Sequence, residues 1–418
     1  MTRRILALAA FATILAGPSA PLVAQAPSAE AFFDDRVLHD LRLYVNSRDL
    51  KLLRQNYTAN TYYTADMVWG ATRVRNVAIR SRGSGSRNPW KIGLKVDFNR
   101  YVSGRTFAGL NALVLDNLWQ DPGLIRDAVT MKVFTRMGQA APREAFCRLF
   151  INNEYEGLYA MVEPIDAKFL ARALNQPDAY LFEYNWSYPF HGEYLGSAYG
   201  PWKTLFSAQT RDKESDAALF GPIRDLFLEA NRPVDAVWRD NVSRYVDLDQ
   251  LLTHAAIETF TAEVDGVVGA WGMNNFYLNR PATSTVHRFL PWDKDNAFSA
   301  IDSPITAWLE DNILIRRALG YGDLSERYFG VLRATAAATA DNDWLLGEIN
   351  RVWALVAPAA YADTKKQFSN ADADAHIAFL RDFARLRPAF VLEAMAALTE
   401  SGGGGTQGRA RNRLVGTR

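Results

Sequence analysis

The chain has 418 residues, 49% of them hydrophobic and 12% aromatic, enough to bury one large core or two lobes around a cleft, which excludes disorder for most of its length. Lys plus Arg, 47 residues, nearly balance 46 Asp plus Glu, so no global field draws the chain to nucleic acid or to an anionic membrane. Any charged partner has to be met locally.

The N-terminus reads as a secretory signal, with a basic start at Arg3 and Arg4, an apolar run from Ile5 to Ala16 and a small-residue cleavage region at Ala24-Gln25-Ala26. Gly17, Pro18 and Pro21 interrupt a run that barely reaches the roughly 20 residues a spanning helix needs. Residues 1–26 are therefore expected to be removed on export to the periplasm, envelope or medium, leaving no transmembrane anchor. Cys147 is the only cysteine, so no intrachain disulfide is possible, and its neighbours Phe146, Leu149 and Phe150 make it a small buried hydrophobe.

From Val68 to Phe98 the pattern predicts a β-hairpin: Val74, Val77 and Ile79 lead into a Gly83-Ser84-Gly85-Ser86 turn, and Ile92, Leu94 and Val96 lead out of it. Leu113-Val114-Leu115 predicts another strand, followed by a helix from about Pro122 to Met137 that stops at Gly138. Strands are expected from Phe146 to Ile151 and from Leu158 to Val162 around an Asn152-Asn153-Glu154 turn.

The second half is mostly helical. One helix opens at Asp247 with Gln250 as a capping box and carries Leu248, Leu251, Leu252, Ala255, Ala256 and Phe260 on one stripe. Phe276-Tyr277-Leu278 and Phe289-Leu290-Pro291-Trp292 predict two short strands, and the Ala-rich stretch from Asp323 to Leu398 a helical bundle. The organisation is thus one domain over residues 27–400, with an N-lobe of about 35–180 and a C-lobe of about 181–400, then a flexible Gly/Arg-rich tail over 401–418.

Three segments carry residues suited to chemistry on phosphates. The Gly83–Arg87 turn is small enough for its backbone N–H groups to approach an anion, although most Gly/Ser turns only connect strands. On the following strand Lys91 and Lys95 are expected on the same face, because strand side chains alternate, so that one of them can point into a cleft; a solvated face beside Asp97 is the plainer reading. Glu263-Val264-Asp265 at a helix end, Asn274-Asn275 ten residues on, and Asp293-Lys294-Asp295 at a strand end gather hard oxygen donors of the kind Mg²⁺ prefers, while Asp and Asn also serve plain caps and turns.

Taken together, Arg82-Gly83-Ser84-Gly85-Ser86 with a following Lys, Asp121 to Arg126, Ile151-Asn152-Asn153-Glu154-Tyr155-Glu156-Gly157-Leu158-Tyr159 with Glu163, and Asp265, Asn275 and Trp292-Asp293-Lys294-Asp295 resemble the CotH kinase family of atypical protein kinases. The likeness covers roughly Val77 to Phe298. It implies an α+β, two-lobed, protein-kinase-like fold with a β-rich N-lobe and a mainly helical C-lobe, binding ATP with Mg²⁺ or Mn²⁺ and phosphorylating Ser or Thr of a protein.

In the family's terms Asp265 is the catalytic carboxylate and Asn275, Asp293 and Asp295 hold the metal. Lys95, or else Lys91, contacts phosphates beside Gly83, Ser84 and Ser86, and Glu163 matches an acidic position. The ten-residue step from Asp265 to Asn275, with no preceding His-Arg, departs from conventional kinases. Gly85 and Arg87 depart from the family's Ser-rich turn. Two other readings share these residues: a catalytically silent envelope binding protein on the same fold, and a nucleotidyl transferase. Signatures of P-loop, zincin and α/β-hydrolase sites are missing, and His39, His191, His254, His287 and His376 are expected to be structural or on the surface.

Overall fold

In the computed structural model, residues 27–403 are described, with side chains through residue 400. The expected signal segment and residues 404–418 of the tail lie outside the described residues. The N-terminal half is built on α1 (Ala29–Phe32), β1 (Leu38–Val45), α2 (Ser47–Gln55), β2 (Tyr63–Trp69), β3 (Thr72–Ser81), β4 (Leu94–Asp97), β5 (Ala112–Asp116), α3 (Arg126–Arg136), β6 (Glu144–Ile151) and β7 (Glu154–Val162). Its strands close into a barrel in the order β1-β2-β3-β4-β5-β7-β6. Closure comes from β1, which pairs antiparallel with β2 on one side and parallel with β6 on the other.

The barrel wall serves two cores, because strand side chains alternate. Leu113 and Leu115 of β5 and Tyr159 and Met161 of β7 point inward with Leu43, Met67, Ile79, Leu94 and Leu149. Val114 of β5 and Leu158, Ala160 and Val162 of β7 point outward, into a second core shared with α3 and the C-terminal half. Both strands are therefore buried on both faces. The β6–β7 turn is the expected one: Asn152 and Asn153 sit at φ +51° and +68°, the pair of left-handed residues a two-residue hairpin needs, and the Asn152 side chain pairs with both backbone groups of Val45.

After α4 (Ala167–Leu174) the chain enters a second sheet of order β11-β10-β8-β9, all antiparallel. It comprises β8 (Tyr180–Tyr184), β9 (Phe206–Ala208), β10 (Phe276–Arg280) and β11 (Arg288–Pro291), with α5 (Tyr199–Leu205), α6 (Asp216–Ala230), α7 (Trp238–Ser243) and α8 (Leu248–Phe260) between them. Then α9 (Ile313–Ala318), α10 (Gly322–Ala340), α11 (Trp344–Ala362) and α12 (Asn370–Gly403) complete the helical half. The architecture is α+β, with a β-rich N-terminal and a mainly helical C-terminal part, as expected. No helix among the described residues is long and apolar enough to cross a membrane.

Three expectations shift. The helix expected from Pro122 begins at Arg126, because the Asp121 carboxylate instead organises a turn, accepting from the backbone of Gly123 at 2.8 Å and of Arg126 at 2.7 Å. Helix α12 runs to Gly403, three residues into the expected tail. Gln250 completes only half a capping box: Asp247 accepts from its backbone N–H, but its side chain pairs with the Phe289 backbone in both directions, docking α8 against β11.

Candidate active site

The site grows from the C-terminal end of α8. Its last carbonyls, which have no helical partner, are taken up by the buried Arg387 of α12, which donates to Thr259 O at 2.7 Å, Phe260 O at 3.0 Å and Ser303 O at 2.6 Å. The chain then turns into the Asp265 loop. Backbone bonds from Ala270 to Val264 and from Asn274 to Gly266 tie this loop shut. Gly272 holds φ +79°, and a Cβ there would lie 2.7 Å from the backbone of Phe190, so the loop packs where only glycine fits.

Asp265 is fixed by its own loop. Its Oδ1 accepts from Asn274 Nδ2 at 2.9 Å and its Oδ2 from Asn275 Nδ2 at 3.0 Å. Asn275 (φ +53°) and Asp293 (φ +54°) both adopt the left-handed conformation, which Asn and Asp tolerate better than other side-chain-bearing residues and which clusters at functional sites. A fully buried ammonium supports the pair: Lys294 Nζ donates to Asn275 O at 2.9 Å and lies 2.8 Å from Glu258 Oε1. The Lys294 N–H donates to Asp127 Oδ1 at 2.8 Å.

Glu258 is the hub beneath. It also meets His254 Nε2 at 2.9 Å and accepts from Val268 N–H at 3.0 Å, and Gly266 lets the chain pass, since a Cβ there would stand 2.4 Å from the carboxylate. Burial pushes the Glu258 carboxyl up, but Lys294 and then His254 outweigh it and hold it at about 2. Glu258 is therefore charged and paired.

The carboxylates facing the cleft behave oppositely. Burial, then the charge of Asp116, pushes Asp293 up to about 6, and burial with the charge of Asp293 carries Asp295 well above its usual range. Burial and Asp293 bring Asp127 to about 7, and burial raises Asp265. Negative charge is thus packed more densely here than local cations balance.

A cleft of about 690 Å³ joins these residues. Its lining includes Gly83, Ser84, Gly85 and Ser86 with Arg80, Arg82 and Arg87, together with Asp265, Asn275, Asp293 and Asp295. Arg82 donates to Asp116 Oδ2 at 3.2 Å and sits 5.5 Å from the centre of the Trp292 ring. The loop expected to meet phosphates and the four acidic and amide residues expected from sequence therefore line one cleft.

Neither lysine lines this cleft. Strand β4 begins only at Leu94, because Asn88 Oδ1 accepts from the backbone of Trp90 and Lys91 and turns the chain there, so the shared face expected for Lys91 and Lys95 does not exist. Lys95 is half-buried on the outer face of β4, beside Arg80 and Val114. Lys91 is fully buried, its ammonium 2.6 Å from Asp363 at the end of α11 and 5.2 Å from the Tyr159 ring. Glu163 pairs with Arg143 at 2.8 Å and Arg172 at 2.6 Å, away from both lysines. Asp116, Asp127 and Glu258 escaped the sequence reading, and Arg82 was named only as part of the Gly/Ser block, without a role. Glu258 alone carried a visible signal, an acid inside an otherwise apolar buried helix, where such a residue is almost always paired.

The residues expected to hold metal are compatible with a hard divalent cation. With Asn275 Nδ2 on Asp265, its Oδ1 turns the other way, and Asp293 and Asp295 supply carboxylates in a region of excess negative charge. Among the described residues no three His, Cys, Asp or Glu are grouped to hold a metal alone. The set suits an ion that keeps water and substrate oxygens, as Mg²⁺ does.

Residues 79–391, well over half of the chain, match the family model described as CotH kinase protein. The inner spore coat protein H of Bacillus subtilis (strain 168) is 24% identical over 256 residues, covering 61% of this chain and 67% of that protein. Among solved structures, the Helicobacter pylori proinflammatory kinase CtkA aligns over 77% of this chain and 94% of its own, at 9% identity and a TM-score of 0.29, a likeness too slight to carry an argument. On the extent of the family match, this chain belongs to the CotH kinase family.

Proposed function

We propose that this protein is an exported atypical protein kinase that transfers the γ-phosphate of ATP to Ser or Thr of a secreted or envelope protein. The observation that carries the reading is the apposition, across one cleft, of the Gly83–Ser86 loop and the Asp265–Asn275 pair with Asp293 and Asp295 beside it. Phosphoryl transfer is mostly positioning and charge stabilisation, and these are the parts it requires.

Asn275 Oδ1, Asp293 and Asp295 would hold Mg²⁺ or Mn²⁺, which when bound supplies positive charge to the phosphates. Arg82, pinned between Asp116 and Trp292, and the N–H groups of the small loop face the same anions. Asp265 receives the proton of the acceptor hydroxyl. Two amides fix its carboxylate in place, and burial raises its basicity, which suits a group that must take up a proton.

Intact-mass analysis of an envelope extract or a Ser/Thr peptide pool after incubation with Mg-ATP tests this reading. A gain of one phosphate supports the kinase, a gain of one nucleotide replaces it by nucleotidyl transfer, and no gain leaves the binding-protein reading. Cell fractionation tests export.

A further inference from the structure

Beyond the nucleotide side, the wall of the cleft next to Asp265 has a composition of its own. Tyr184, Asn185, Trp186, Trp271 and Asn274 line it, and the charged residues beside them are Asp265 and Glu183, which precedes Tyr184 on β8. Arg80, Arg82 and Arg87 line the same cleft beside the Gly83–Ser86 loop. A polyphosphate is drawn to the arginines and repelled by Glu183 and Asp265, so the aromatic part of the cleft falls to the other reactant.

Two features show that this wall is built to receive something. Trp186 and Trp271 are 48% and 49% exposed, large aromatic surfaces that ordinarily contribute most when covered. They are also held in place: Trp186 Nε1 donates to Trp271 O at 3.2 Å, and Trp271 precedes Gly272, whose packing against Phe190 pins the loop.

The second feature is Tyr184, which is only 7% exposed and whose hydroxyl has no partner. Its ring is stacked on Phe276 at 4.7 Å and packed on Phe190 and Phe206, which holds the hydroxyl in place at the cleft lining. A buried hydroxyl left without a partner is destabilising. A ligand's polar group would satisfy it.

Resting on the phosphotransferase reading, we propose that Tyr184, Trp186 and Trp271 form the acceptor subsite, and that it selects a polypeptide segment whose Ser or Thr is flanked by an apolar side chain. The tryptophans cover that side chain, while the Tyr184 hydroxyl bonds the backbone of the segment as Asp265 meets the acceptor hydroxyl.

Binding of labelled peptides with one central Ser, flanked by Leu or Phe, by Lys, or by Glu, is measured by fluorescence anisotropy without nucleotide. Wild type is expected to prefer the apolar flanks. Trp186→Ala and Trp271→Ala are expected to weaken that peptide by about tenfold or more, as loss of an aromatic anchor does, with Mg-ATP binding unchanged and Trp271→Phe restoring most of the loss. Tyr184→Phe is expected to weaken the peptide while leaving the free protein as stable or more so, an outcome that a purely structural tyrosine would not give.

Equal binding by these variants and wild type overturns the proposal, as does a wild type that binds none of the peptides or prefers the charged ones. Apolar-flank preference without phosphate transfer leaves the subsite standing and removes the kinase reading. Transfer without flank preference does the reverse.

Discussion

Asn275 donates its amide to Asp265 at 3.0 Å while its own carbonyl accepts from Lys294 at 2.9 Å. One residue thereby links the expected catalytic carboxylate to the segment that carries Asp293 and Asp295. The two halves of the site, proposed to meet the acceptor and the metal, are joined by a single left-handed Asn.

Asp293 sits among carboxylates that raise one another, and a group held against its neighbours' repulsion serves binding rather than stability. Asp293→Asn is expected to leave the free protein at least as stable as wild type while abolishing stabilisation by Mg-ATP. Ligand at about a hundred times its dissociation constant stabilises by roughly 2.7 kcal/mol. A thermal shift with Mg-ATP equal to that of wild type would contradict the assignment.

Lys294 and Glu258 are a fully buried pair, so removing one partner leaves the other charge uncompensated. Lys294→Met is expected to cost about 3–5 kcal/mol in denaturant unfolding. Adding Glu258→Gln should recover part of that loss. Strict additivity of the two changes would show that the pair is not coupled as described.

Much of this framework was legible in the sequence, and what was missed was nonlocal. Alternation of Leu94 and Val96, the Asn152-Asn153 turn and the Asp247 cap are local signals, and each led to the right element. Closure of the barrel was not, since it rests on parallel pairing of Leu38 with Phe146 and the residues that follow, which no local pattern encodes. The placement of Lys91 failed for a related reason: a side-chain turn at Asn88 broke the assumed strand, and its partner Asp363 is far along the chain. In the cleft, Asp265, Asn275, Asp293 and Asp295 stood out as acids and amides at element ends. Arg82 and Asp116 looked like ordinary strand-end charges.

The cations beside the cleft can be told apart. Arg82→Ala is expected to weaken Mg-ATP by about tenfold or more relative to adenosine, because its proposed contact is with phosphate charge. Lys95→Ala should change neither ligand. Lys91→Met should instead destabilise the fold by about 3–5 kcal/mol, through the unpaired Asp363. A phosphate-specific loss in Lys95→Ala with none in Arg82→Ala would reverse the placement.

His287 offers a pH test independent of the site. Burial holds its imidazole at about 3, below the ordinary 6.5, with Nδ1 on Tyr245 O at 2.9 Å. The unfolded chain takes up the proton first, so the stability is present above about pH 6.5 and is lost as pH falls toward 3, at up to about 1.4 kcal/mol per pH unit. His287→Phe should show a shallower loss of unfolding free energy between pH 6.5 and 4. Parallel pH profiles for the two proteins would exclude a buried neutral imidazole.

The most direct measurement pairs nucleotide binding with phosphate transfer in Asp265→Asn. A carboxylate that takes the acceptor proton contributes 10²–10⁴-fold in rate, or roughly 3–5 kcal/mol of barrier, but it does not hold the nucleotide, which remains with Asn275, Asp293 and Asp295. Calorimetry with Mg-ATP and transfer of labelled phosphate to an envelope extract are therefore expected to diverge, with affinity near that of wild type and transfer reduced by at least about a hundredfold. Transfer at the wild-type rate in this variant would contradict the catalytic role of Asp265, and a wild-type protein that binds no nucleotide at millimolar Mg-ATP would contradict the kinase itself.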